Sequence, residues 1–171
     1  LMQRSPVGLG EELYQVLSHF KKSLGIIPPS GAKHPTDILV GHIMRRNVET
    51  LSNKAPFDEV LKALGKSRYD RLPVVNDQNE LVGVIKYSDI ANTLFDPGLR
   101  NLVVAAEIAT NTFLKLTPED TLEKAMAALK AHPDDTYLFV VEKNNSAKLV
   151  GVVRQNDVLS SPFSFFRAKN V

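Results

Sequence analysis

Phe57, Val60, Leu61 and Leu64 stand at i, i+3, i+4 and i+7, which puts four apolar side chains on one face of a helix. Leu122, Ala125, Met126 and Leu129 repeat that spacing 65 residues later. Beyond each helix the pattern changes. LPVV at 72–75 and LFVV at 138–141, then LVGVI at 81–85 and LVGVV at 149–153, are short apolar runs rich in valine. Their length and composition predict buried strands. Polar tetrapeptides at 76–79 and 143–146 predict turns that join the last two strands of each set into a hairpin. Asp89 and Asp157 close the two series. The blocks recur in the same order at displacements of 65, 66 and 68 residues, which predicts a duplicated unit of strand, helix, strand, turn, strand and helix. A unit of about 55 residues buries too little surface to stand comfortably alone, so the two are expected to pack through their sheets.

The termini of these elements carry further signals. Pro56 suits the first helical position, with Asp58 and Glu59 complementing the dipole, and Asp120 and Glu123 have capping-box spacing. Upstream, Leu13, Val16, Leu17 and Phe20 form a helical stripe, expected to pack on the core rather than lie on a membrane. Gly25 is a plausible stop, and 26–37 reads as a linker stiffened by Pro28, Pro29 and Pro35. Phe163, Phe165 and Phe166 suggest core or dimer contact. The expected divisions are an N-terminal helix and linker at 1–36, repeats at 37–98 and 99–160, and a tail at 161–171.

Composition narrows the function classes. The apolar fraction is 43% and the charged fraction 23%, as in an ordinary globular protein. Twenty-one basic against 19 acidic residues leave a net charge of +2, spread along the chain, so nucleic-acid binding is not expected. Without cysteine there is no disulfide, thiolate zinc site or thiol catalysis. No apolar run approaches the roughly 18 residues that span a bilayer. The four histidines (19, 34, 42 and 132) share no metal-ligand spacing, and neither a phosphate-binding GxxxxGK[ST] loop nor a GxSxG elbow occurs. Glu119-Asp120 sits at a helix start and Asp134-Asp135 beside Pro133, where solvated charge is the expectation. No catalytic or metal site is expected.

What remains is a matched pair of turns, GVIKYSD at 83–89 and GVVRQND at 151–157. Each is expected to run from a buried strand into a helix, where free backbone N–H groups gather and favour phosphate. An aspartate in the first turn of such a helix accepts hydrogen bonds from neighbouring ribose hydroxyls. Asp89 and Asp157 fit that role, or they complement the helix dipole; spacing leaves both readings open.

The order VGHIMRRNVETLS, PFDEVLKAL and YDRLPVVNDQNELVGVIKYSDI, with its partner AAEIATNTFLKLTPEDTLEKAMAAL, YLFVVEKNNSAKLVGVVRQNDV, resembles a tandem pair of cystathionine-β-synthase (CBS) domains, a Bateman module. The resemblance covers about residues 37–160. The stretch LFDPGLRNLVVAAEIAT at 94–110 is also similar to the inter-domain segment in the cytoplasmic tails of ClC chloride channels and transporters.

The resemblance implies a mixed α/β (α+β) fold of two βαββα repeats related by a pseudo-twofold axis, with two clefts between them that take adenosine ligands. The implied ligands are ATP, ADP or AMP, with no cofactor required. Asp89 and Asp157 match the ribose-binding acid. Val48 and Thr50, with Phe113 and Lys115, match the stretch bordering the adenine. Tyr69, Arg71, Leu72 and Pro73, with Tyr137, Leu138 and Phe139, match the strand lining each cleft. Lys86 and Arg154 stand where the family usually has Ser or Thr. Either these cations contact phosphate directly, favouring ATP or ADP, or they extend to solvent over an empty cleft. Phe139 replaces a proline and either stacks on adenine or fills the cleft. The function so implied is a non-enzymatic regulatory module, homodimeric and cytoplasmic. It would be attached to an effector such as a membrane-embedded anion transporter domain preceding residue 1. The alternative is a ligand-free assembly module.

Overall fold

The computed structural model describes residues 37–145 and 147–159, so the stripe at 13–20 and the phenylalanines at 163–166 lie outside the described residues. A short helix α1 (Val40–Ile43) precedes the first repeat, β1 (Leu51–Ser52), α2 (Phe57–Lys66), β2 (Arg71–Val75), β3 (Leu81–Lys86) and α3 (Tyr87–Leu94). Helices α4 (Pro97–Arg100) and α5 (Ala105–Ile108) lead to the second repeat, β4 (Lys115–Leu116), α6 (Leu122–Ala131), β5 (Tyr137–Val141), β6 (Leu149–Arg154) and α7 (Gln155–Leu159). Each repeat holds a three-stranded sheet whose first pair is parallel and second antiparallel, the βαββα order read from the sequence.

Strand alternation builds three cores. Leu72 and Val74 on one face of β2 meet Phe57, Val60 and Leu64 of α2. Leu138 and Val140 of β5 likewise meet Leu122, Ala125 and Leu129 of α6. Val75 of β2, with Phe139 and Val141 on the opposite face of β5, joins Leu81, Val84, Leu149 and Val152 in a third core between the sheets. A register shift recurs in both hairpins. Val74 pairs with Gly83 and Val75 with Leu81, as Val140 pairs with Gly151 and Val141 with Leu149. The extra residue, Val82 or Val150, is a β-bulge that turns Leu81 and Leu149 towards the partner sheet.

The segments preceding the repeats are exchanged. Arg45 pairs with Val152 of β6, and Ile38, Val40, Ile43 and Met44 complete the core of the second repeat. Thr110 pairs with Val84 of β3, and Ala105 enters the core of the first. The glycines of the two LVGV runs permit this approach. A Cβ on Gly83 would lie 2.6 Å from Ala109 Cβ, and one on Gly151 would lie 2.9 Å from Met44 Sδ and 3.0 Å from the Arg45 carbonyl oxygen. The hairpin ends also meet: Leu81 N–H donates to the Ala147 carbonyl at 2.6 Å, and Leu149 N–H to that of Asn79 at 3.1 Å. Asn79 adopts φ 60°, a conformation asparagine tolerates in turns.

Two cap positions differ by a residue from the expected ones. Pro56 is extended and caps α2 rather than opening it. At α6 the cap is Thr121, whose hydroxyl accepts from Lys124 N–H at 3.2 Å. Asp120 instead accepts from Thr117 N–H and Lys124 Nζ, each at 2.7 Å, and closes the preceding turn. The threonine, one residue nearer the helix, reaches the amide that a capping side chain must satisfy.

Candidate functional site

In the antiparallel ladder of the second repeat Tyr137 lies opposite Arg154, so the start of β5 and the end of β6 share one edge. The loop before β2 reaches this edge from the first repeat. The Tyr69 ring meets Tyr137 edge-on with centroids 4.8 Å apart, and the Thr136 hydroxyl donates to Asp70 at 2.7 Å. A cavity of about 260 Å³ opens here, lined by Arg68, Asp70, Thr136, Tyr137, Arg154, Gln155 and Asn156. It therefore draws on both repeats. Burial, with the Asp70 carboxylate nearby, raises the pKa of the Tyr137 phenol above its ordinary value.

Asp157 lies behind this cavity and is only 4% exposed. The Arg154 guanidinium holds it through a fork: Nε donates to Oδ2 at 2.8 Å and Nη2 to Oδ1 at 2.7 Å. Arg45, from the exchanged segment, places its Nε 3.5 Å from the same Oδ2. The carboxylate beside Arg154 holds that guanidinium above its ordinary pKa. Of the two roles left open for Arg154, neither describes this contact: the side chain turns onto its own aspartate. The first amide of α7 is also engaged, with Gln155 N–H donating to the Thr136 carbonyl at 2.8 Å.

The equivalent position in the first repeat is built differently. Asp89 accepts from Lys86 N–H at 2.8 Å, a helix cap on which no guanidinium sits among the described residues. Arg71, opposite Lys86 in the ladder, is 6% exposed and reaches across to the second repeat. Its Nη1 lies 2.6 Å from Asp135 Oδ1 and its Nη2 donates to the Asp134 carbonyl at 2.9 Å. The expectation that Asp134-Asp135 is solvated charge is corrected for Asp135, which is only partly exposed and pairs with the buried Arg71 guanidinium.

The other expected residues divide by face. Val48 and Phe113 pack on the core between the sheets, where Phe139 is buried and meets Phe113 edge-on at 5.9 Å. Lys115 lies over the Phe113 ring with its Nζ 5.2 Å from the centroid, and Thr50 is exposed. Leu72 and Leu138 face the cores of their own repeats, and Pro73 is buried in β2. Of the expected residues, Tyr137 and Arg154 line the cavity. Sequence reasoning missed Arg68, Asp70, Thr136, Gln155 and Asn156, although Arg68 and Asp70 flank the expected Tyr69. It also missed Arg45, which lies 112 positions from Asp157, so no local pattern joins them. Among the described residues no group of three or more metal-ligating side chains converges, and no helix is long and apolar enough to cross a membrane.

This architecture has relatives. The chain is 30% identical over 129 residues to uncharacterized protein MJ1225 of Methanocaldococcus jannaschii, covering 74% of this chain and 44% of that one. It spans less than half the length of the curated relatives it matches. The cytosolic domain of the Mg2+ channel MgtE, solved in complex with ATP, superposes with a TM-score of 0.57 at 25% identity, covering 71% of this chain and 47% of that one. CBSX2, solved in complex with AMP, gives 0.59 at 23% identity, covering 75% and 98%. The CBS domain family model matches twice, at residues 40–96 and 104–163. Two matched repeats, one βαββα unit in each, make this chain a tandem member of the CBS domain family.

Proposed function

We propose that this CBS pair is a non-enzymatic regulatory module that binds an adenine nucleotide (ATP, ADP or AMP) between its repeats. The observation that carries the reading is the cavity at the β5–β6 edge, lined by Arg154 and Tyr137 from one repeat and by Arg68 and Asp70 from the other. A ligand seated there touches both halves, so occupancy biases their relative disposition. Coupling to an effector is then a matter of unequal contact with two states, typically about 1–3 kcal/mol. The likeness to the ATP complex of the MgtE cytosolic domain supports this reading. We propose the effector to be an anion channel or transporter of the ClC type preceding residue 1. Similarity of the segment at 94–110 is the support for that choice. The module would then work at the cytosolic face of a membrane protein, as a homodimer.

Thermal unfolding with and without each nucleotide tests the proposal. Ligand at 100 times its dissociation constant should add about 2.7 kcal/mol of stability. Asp157→Ala and Asp89→Ala, made separately, assign the response to a cleft. A second reading, ligand-free assembly, is favoured by the pairing of Asp157 with two arginines and by exposed Phe95 and Leu102. An unchanged midpoint with every nucleotide, together with concentration-dependent association, would select it.

A further inference from the structure

Asp157, the acid assigned to the sugar, does not line the cavity; Arg154 does, and it stands between the two. The carboxylate is buried, whereas the Arg154 and Arg45 side chains are 38% and 40% exposed. The arginines can therefore turn outwards while the aspartate cannot. Two guanidinium groups share this single carboxylate, and Arg68 adds a third cation on the cavity wall against the Asp70 carboxylate. The local balance is positive.

We propose that this cleft is latched by arginine and admits an adenosine compound only when it carries phosphate. The phosphate draws the Arg154 guanidinium off Asp157, with Arg45 following, and the freed carboxylate then accepts the sugar hydroxyls. The inference rests on the nucleotide reading above and deepens it by naming what selects the ligand. A neutral nucleoside offers the arginine nothing in exchange for two charge-assisted hydrogen bonds, so the latch stays shut. The sulfonium of S-adenosylmethionine brings positive charge to a site already in positive excess. The first repeat supplies an internal contrast: among the described residues Asp89 is held by the Lys86 backbone amide and the Ser88 hydroxyl, with no ion pair to a cation.

Calorimetry on the full chain with AMP, ADP, ATP, adenosine and S-adenosylmethionine tests the latch. AMP should bind the unmodified chain at least about tenfold more tightly than adenosine, the size expected of a charged hydrogen bond. Arg154→Ala should weaken AMP by a similar factor while leaving adenosine unchanged or improved, so that the two converge. A merely structural arginine would weaken both alike. Arg154→Gln, which keeps a neutral hydrogen bond to Asp157, covers a failure of the alanine variant to fold and should show the same convergence. Added salt should narrow the AMP-to-adenosine ratio in the unmodified chain. Equal affinity for AMP and adenosine in that chain, or parallel losses in the variants, overturns the latch and leaves nucleotide binding standing. Failure of every adenine compound to bind overturns the nucleotide reading and the latch with it.

Discussion

Arg71 shows how one side chain ties the repeats together. Its guanidinium is buried, paired with Asp135, and its Nε has no hydrogen-bond partner among the described residues. Asp135→Ala leaves that charge uncompensated and should cost about 3 kcal/mol in urea unfolding. Arg71→Met removes the charge and the unsatisfied nitrogen together, and Asp135 can turn to water, so its cost should be smaller. Equal costs for the two would mean that the ion pair is not what holds this junction. Asp120 governs a pH response. Burial alone would raise its pKa, but hydrogen bonds from Lys124 and Thr117 outweigh that and lower it. A carboxylate with a depressed folded-state pKa stabilises the protein above its unfolded pKa near 4, and that contribution disappears as pH falls through the folded value. Asp120→Asn should therefore be less stable at neutral pH and approach the unmodified chain as pH falls through the depressed folded value, as followed by urea midpoints against pH.

At the scale of the element, the LVGV runs serve two purposes. Valines supply the buried strand faces, and glycine leaves the gap into which the exchanged segment fits. Gly83→Ala forces a methyl against Ala109, and Gly151→Ala forces one against Met44 and the Arg45 carbonyl. Both should destabilise by about 1–3 kcal/mol, the range for overpacking. The Gly83 variant should suffer more, because the methionine side chain can move aside and an alanine methyl cannot. Adding Ala109→Gly to Gly83→Ala should recover part of the loss in a double-mutant cycle; strict additivity would argue against direct contact. The glycine spacing was visible as part of the repeat, but what it admits was not.

For the whole molecule, the repeat in the sequence and the repeat in packing are offset. Residues 38–44 belong by contact to the second core, and Val103, Ala105 and Ile108 to the first. A fragment of residues 47–110 keeps Val103, Ala105 and Ile108, the part of the first core that 37–98 lacks, so its circular dichroism and urea transition should be the more native-like. Indistinguishable fragments would show that the exchanged segments contribute little. The exchange also carries Arg45 to Asp157, so the segment that closes the second core also reaches the buried carboxylate.

Local pattern determined α2 and α6, through a spacing of 3.6, and the buried strands and hairpin turns, through short valine-rich runs bounded by polar residues; the short helices α1, α4 and α5 carry no such signal. The family was legible in the order of the motif blocks, and Tyr137 and Arg154 were singled out only through that resemblance. Tertiary structure alone decided which partner each charge takes: Arg45 and Arg154 on Asp157, Arg71 on Asp135, and Asp89 left to its own helix. Two aspartates at equivalent places in a repeat look alike in sequence. Their surroundings differ because pairing energy depends on distance and burial, and long-range packing fixes both.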